Sequence, residues 1–351
     1  MSTSDVGREG VEGARPDREA MIGQGGHRPD GRDRDRPGGR RRRGGRGERA
    51  MVPDAEFGSY YGKPILNPPV WKAADIAGYF FLGGLAGAGS VLAAGAQWTG
   101  RPAAARALKV SSLAAISGST AALIHDLGRP GRFYNMLRVM KPTSPMSMGS
   151  WLLAAYGPAA GAAAVLDVTG LFPRLGHAAT AGAAALGPAV AAYTAVLAAD
   201  TAVPAWHEGY REMPFVFTGS ATIAAAGMAL VAAPRRETGP MRTAAVCGAA
   251  LELGAMELMQ RRLGVIAEAY REGTAGRLVR AARVLTVAGA ATGALLGGRN
   301  RTAAALGGAA LLAASACTRF GAFHAGMRSA EDPKYTVVPQ RERLRERAGE
   351  A

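Results

Sequence analysis

Residues 76–96, IAGYFFLGGLAGAGSVLAAGA, run through without one charged side chain. At a rise of 1.5 Å per residue, about 20 apolar residues in an α-helix match the roughly 30 Å hydrocarbon core of a bilayer. Gly83 and Gly87 stand four apart, so one face of that helix is nearly bare backbone, the small-xxx-small spacing that lets a neighbouring helix come close. The stretch predicts a transmembrane helix built for tight packing, and a tight partner requires more helices of the same kind.

Seven further apolar runs supply them, at 107–124, 149–166, 178–199, 213–233, 243–260, 281–298 and 302–320. The shorter runs must borrow flanking residues or thin the bilayer locally. The expected fold is an all-α integral membrane protein of about eight transmembrane helices, with seven or nine left open. A β-barrel would need segments of about ten residues in strict alternation, and these are absent. No clear internal repeat is visible. An even number of crossings puts both termini on one face, the N-face, together with loops 125–148, 200–212 and 261–280. More Lys and Arg flank the spans there than on the other face, which predicts a multi-pass protein of the plasma membrane with cytoplasmic termini.

The regions outside the spans are of another composition. Hydrophobic residues make up 48% of the 351-residue chain, yet the stretch 30–49, DGRDRDRPGGRRRRGGRGER, has no apolar periodicity. The Arg/Gly-rich tail 1–56 is predicted to be disordered, because it cannot bury enough surface to offset the entropy of ordering. It reads as an RNA- or lipid-binding arm, an inert extension, or translation assigned upstream of Met51. No cleavable signal is expected, since the first apolar run is already of spanning length. A charged C-terminal tail is expected over 336–351. The net charge of +15 lies mostly between apolar runs rather than on one face interleaved with aromatics, which argues against a nucleic-acid binder. Cys247 and Cys317 lie singly inside apolar runs, as for two small buried thiols, and no CxxC spacing exists for a metal or redox dithiol. The five His residues are also single, so paired haem ligation and a metal site are not expected.

Eight spans bring scattered polar residues to the N-face. Asp75 and Tyr79 open the first helix, and His125 and Asp126 close the second. Ser147 and Trp151 open the third, while Tyr193, Asp200, Trp206 and His207 lie at or beyond the end of the fourth. The loop 126–149, DLGRPGRFYNMLRVMKPTSPMSMG, is too rich in Arg, aromatics and Met for a passive connector. The spacing of Phe133, Met136, Leu137 and Met140 predicts a short interfacial helix over 131–140, ended by Pro142 and Pro145. Asp126 and Arg129 are positioned to form an ion pair that fixes the loop. Within the sixth span lie Glu252 and Glu257, and intramembrane acids are functional candidates by default. Five residues apart they point about 140° from each other. Glu252 is therefore the candidate for a proton path, and Glu257 is expected to pair with Arg261 at the helix end.

The string KPTSPMSMG at 141–149 resembles the membrane subunit of the NrfD-like, polysulfide-reductase family. SYYGKP at 59–64, YFFLGGLAGAGS at 79–90, DLGRPGRF at 126–133, TAVPAW at 201–206 and SAEDPKYTV at 329–337 fall in the family's order. The resemblance, over about 57–335, implies two four-helix bundles, here 76–199 and 213–320, and a subunit without redox metal. It implies that the subunit anchors a four-cluster iron–sulfur protein and a molybdopterin catalytic subunit, of formate dehydrogenase or polysulfide/thiosulfate reductase type, in the lipid bilayer. It further implies that the subunit exchanges electrons with menaquinone or ubiquinone. The quinone site of the family falls here on Asp75, Tyr79 and Tyr193, with Asp126, Arg129, Lys141 and Ser144 in the loop around it. An Asn and a His of relatives correspond to Asp75 and Tyr79. A two-electron quinone cycle also moves two protons, which makes Asp75 the candidate proton donor and Tyr193 the neutral hydrogen-bond donor to the opposite carbonyl. A secondary transporter and a non-catalytic scaffold of the same fold stand as alternatives.

Overall fold

The computed structural model describes residues 5–7, 10–12, 65–127 and 129–349. Disorder in segment 30–49 and the SYYGKP motif both lie outside the described residues. Within the first unit, Met1–Ala55, a strand pair is described where the sequence predicts a disordered tail. Strand β1 (Asp5–Gly7) runs antiparallel to β2 (Gly10–Glu12), with Val6 opposite Val11 and Gly7 opposite Gly10.

The second unit, Glu56–Ala351, is helical. Its long helices are α1 (Ala73–Trp98), α2 (Pro102–Asp126), α3 (Pro145–Thr169), α4 (Pro173–Ala199), α5 (Met213–Ala232), α6 (Gly239–Arg262), α7 (Gly273–Leu295) and α8 (Arg301–Glu331). Each expected run maps onto one of them; most helices overshoot their runs, whereas 213–233 and 281–298 extend past the C-terminal ends of α5 and α7. Pro102, Pro145 and Pro173 start α2, α3 and α4 at the first turn, where a missing amide costs nothing. Pro158 and Pro188 are accommodated mid-helix, as packing allows in transmembrane segments. Seven of the eight are long and apolar enough to cross a membrane; α6 falls outside that group. Arg242, Glu252, Glu257, Arg261 and Arg262 lower its hydropathy, and packing compensates by burying Glu252 inside the bundle.

Helices α1 to α4 close a ring, each touching its neighbours in sequence and α1 touching α4. Helices α5 to α8 close a second ring in the same order. The rings meet through α1 against α5 and α8, and α4 against α5. In each ring two helices meet backbone to backbone, glycine on glycine. A Cβ on Gly187 of α4 would lie 2.4 Å from the Gly87 carbonyl oxygen of α1, and one on Gly308 of α8 lies as close to the carbonyl of Gly227 in α5. The core is mostly Ala, with Tyr79, Phe80, Trp206, Phe217 and Tyr270 buried toward the N-face.

Three expectations change. The predicted helix 131–140 is a 3-10 helix, Pro130–Leu137, with no buried residue. Among the described residues it touches mainly the ends of α2 and α3 and buries none of its side chains, and short 3-10 segments suit such a connector. The C-terminal segment expected as a charged tail is helix α9 (Lys334–Gly349), held at its start by the buried Tyr335 and an ion pair of Lys334 to Glu268, and further along by one of Arg343 to Glu208. Of the two thiols expected to be buried, Cys247 is exposed on the outside of its helix and Cys317 half-buried.

Candidate functional site

All four helices of the first ring contribute to its N-face end. Asp75 and Tyr79 are one turn apart on α1 and share a face. The carboxyl of Asp75 is mostly covered and meets His125 Nδ1 of α2 at 3.0 Å. Tyr79 is fully buried, and its hydroxyl makes no hydrogen bond of good geometry among the described residues, although it lies within electrostatic reach of Tyr193 on α4. Helix α3 contributes an absence: a Cβ on Gly149 would lie 1.8 Å from Tyr193 Cζ and 1.9 Å from its Oη. Only glycine there leaves room for the tyrosine ring, which explains the last residue of KPTSPMSMG.

The remaining candidates divide into capping and surface groups. Ser144 is the N-cap of α3, accepting from the Ser147 amide at 3.4 Å, and Ser147 Oγ accepts from the Lys141 amide at 3.0 Å and donates to the Val139 carbonyl at 3.0 Å. The string thus stitches its own loop, and its serines hold backbone. Asp126 accepts from the Lys72 amide at 3.3 Å at the start of α1, and no ion pair between Asp126 and Arg129 occurs among the described residues. The backbone claims the carboxylate, and Arg129 is exposed, as is the side chain of Lys141. The exposed 3-10 helix and its flanks present Phe133, Tyr134, Val139 and Met140 beside Arg132 and Arg138. TAVPAW is likewise structural: Trp206 stacks on Trp71 at 5.6 Å, donates from Nε1 to the Ala322 carbonyl at 2.7 Å, and occupies the space a side chain at Gly326 would need.

Glu252 belongs to the second ring, apart from these groups. It is buried, accepting from Thr318 Oγ1 at 2.5 Å and Thr286 Oγ1 at 3.3 Å. Glu257 pairs with Arg261 at 3.0 Å, as its spacing predicted, and also with Arg283 at 3.1 Å. The sequence reading passed over Arg319, which is completely buried near Glu252. Its guanidinium donates to the Phe217 carbonyl at 2.6 Å and lies 3.9 Å from the Phe217 ring centre. Its reach to α1 depends on Gly84, where a Cβ would lie 2.8 Å from Nη2. A basic residue at the end of an Ala-rich run was the available signal, and it was indistinguishable from a flank.

A comparison with protein families matches residues 65–263 to "Polysulphide reductase, NrfD". The chain belongs to this family. No curated protein matches it. The matched segment spans the first ring plus α5 and α6, so it contains each NrfD-type motif described above except SYYGKP and SAEDPKYTV. The chain is therefore a multi-pass membrane subunit of the polysulphide-reductase type, a family whose members generally partner with iron–sulfur and molybdopterin subunits.

Proposed function

We propose that this subunit is the quinone-reactive membrane anchor of a molybdopterin oxidoreductase, of formate dehydrogenase or polysulfide/thiosulfate reductase type, and passes electrons between membrane quinone and a four-cluster iron–sulfur partner. The observation that carries the reading is the fully buried hydroxyl of Tyr79, which faces Tyr193 without completing a well-formed hydrogen bond among the described residues. A buried donor left without an acceptor is costly, and a quinone carbonyl is an acceptor that would complete it. Menaquinone or ubiquinone supplies two-electron, two-proton redox chemistry when bound.

This chain's residues would orient the substrate and move protons. The Tyr79 and Tyr193 hydroxyls donate neutral hydrogen bonds. Asp75, one turn above Tyr79, hands on a proton and is resupplied through His125, whose side chain is largely exposed on the N-face. Arg129, Lys141 and the aromatic loop lie on the same face and offer the iron–sulfur partner a basic, apolar surface close to the site. The positive-inside bias orients that face to the cytoplasm of the plasma membrane. Glu252, buried among hydroxyls, serves as a proton-holding group in the second bundle.

The test is mild-detergent purification from the native membrane with metal analysis, then quinone-dependent turnover of Asp75→Asn and Tyr193→Phe. Molybdenum or tungsten with an iron–sulfur protein in the preparation, and a loss of about 10²-fold or more in the Asp75 variant, is expected. Unchanged rates in both variants overturn the site, and substrate uptake by the chain alone in liposomes overturns the anchor reading.

A further inference from the structure

At the end of the first ring opposite Tyr79 and Tyr193, a second polar cluster draws one group from each helix. Lys109 of α2 is only 3% exposed, and its ammonium donates to Asp167 Oδ1 of α3 at 2.8 Å and to Gln97 Oε1 of α1. Thr180 of α4 donates to the same Gln97 oxygen at 3.4 Å, and Arg106 pairs with Asp167 from outside at 2.9 Å. Lys109 forms a wall common to two cavities. The outer one, about 140 Å³, is lined also by Leu166, Asp167, Gly170, Gly176 and His177. The inner one, about 10 Å³, is lined by Ser90, Lys109, Ser112 and Thr180 among alanines.

Beyond the inner cavity the polar groups continue toward the bundle centre. Ser90 and Tyr156 hydroxyls meet at 2.7 Å, and Tyr156 donates to the Ala86 carbonyl at 2.6 Å. Two polar atoms on this line, Ser112 Oγ close to Tyr156 and Gln97 Nε2, are buried without a well-formed hydrogen bond among the described residues. An ammonium below the membrane surface is expensive even when paired, and buried polar atoms left over in native proteins are usually satisfied by internal water. A bundle closed only for stability would fill these positions with more Ala and Gly, as it does elsewhere.

We propose that the first ring contains a water-filled shaft that opens on the membrane face opposite Tyr79 and Tyr193, is necked by Lys109 and Asp167, and admits water and protons as far as Ser90, Ser112 and Tyr156. The outer cavity is its vestibule and the inner one holds about one water. The titratable groups facing the neck are Arg106 and Lys109 from α2, Asp167 from α3 and His177 from α4.

The test reads solvent access and not turnover, so it stands whether or not Tyr79 and Tyr193 serve a quinone. The full chain, with Cys247→Ala and Cys317→Ala, carries one reporter, Ser112→Cys, in native membrane vesicles of either orientation. Silver ion is applied from one side, and the remaining thiol is counted by alkylation after denaturation. Thr180→Cys, on another helix but lining the same inner cavity, replaces the reporter if Ser112→Cys does not insert. Blocking several-fold faster from the Lys109 face than from the Tyr79 face is expected. Equal rates from both faces, faster blocking from the Tyr79 face, or no blocking from either overturns the shaft.

Discussion

At Gly149 a missing side chain decides what a distant one can do. The Tyr193 ring occupies the space where a Cβ would stand, with ring and hydroxyl atoms within 2.3 Å of it. A tyrosine ring on a packed helix cannot give way by that distance without changing rotamer. Gly149→Ala is therefore expected to cost about 1–3 kcal/mol of stability, the usual range for overpacking, and to displace Tyr193 from Tyr79. In the purified complex this reads as a lower unfolding temperature together with a loss of quinone-dependent activity at least as large as that of Tyr193→Phe. Full activity with Gly149→Ala would separate Tyr193 from the site. The serines of the same string behave differently, because Ser144 and Ser147 are engaged with backbone at the start of α3. Sequence alone drew the string out as a unit, but it could not divide its serines, which shape the loop, from its glycine, which admits the tyrosine.

Elements were more legible than their junctions. The apolar runs locate all eight helices, seven of them because the bilayer imposes length and apolarity on each one separately, and α6 despite its five charged residues. The junctions depend on partners far away in sequence. Asp126 goes to the Lys72 amide and not to Arg129, and Lys109 finds Asp167 only because α2 and α3 adjoin. The N-face junction of α5 and α6 shows the same dependence. Glu212, the N-cap of α5, takes both Nε and Nη2 of Arg262, the last residue of α6, at 2.7 and 2.6 Å. That guanidinium holds the Glu212 carboxyl below the usual carboxylate range. A carboxyl depressed on folding stabilises the fold above its unfolded pKa of about 4.3, and the contribution disappears as pH falls through the folded value. Glu212→Gln is expected to lower stability by about 1 kcal/mol at neutral pH, since the pair is partly solvent-screened. The difference from wild type should shrink as the solution is acidified below pH 4, read by thermal unfolding in detergent. A deficit that persists undiminished at low pH would assign the effect to packing.

The two rings repeat each other at the whole-molecule scale, although no repeat is visible along the chain. Gly187 meets the Gly87 carbonyl and Val91, and Gly308 meets the Gly227 carbonyl and Val231. In the other direction Gly87 faces Val190, and Gly227 faces Leu311. Glycine, the branched residue four positions on, and the facing residue three positions on thus recur in the same geometry. Ala and Gly fill so much of every span that this sparse correspondence is hidden in composition, and only the ring order of contacts brings it out. If the correspondence is energetic as well as geometric, Gly187→Ala and Gly308→Ala should destabilise to a similar degree. Each places a methyl group 2.4 Å from a carbonyl oxygen on backbone that cannot rotate away, at about 1–3 kcal/mol. Because the two sites share none of their crowding partners, the double variant should show the sum of the single effects to within about 0.5 kcal/mol. Unfolding of the purified subunit in a detergent series measures all three. A double variant well short of the sum would mean that the rings yield together as one cooperative unit, with strain in one relieved through the α1 and α5 contact to the other. The two rings would then be symmetric in construction but not independent in stability.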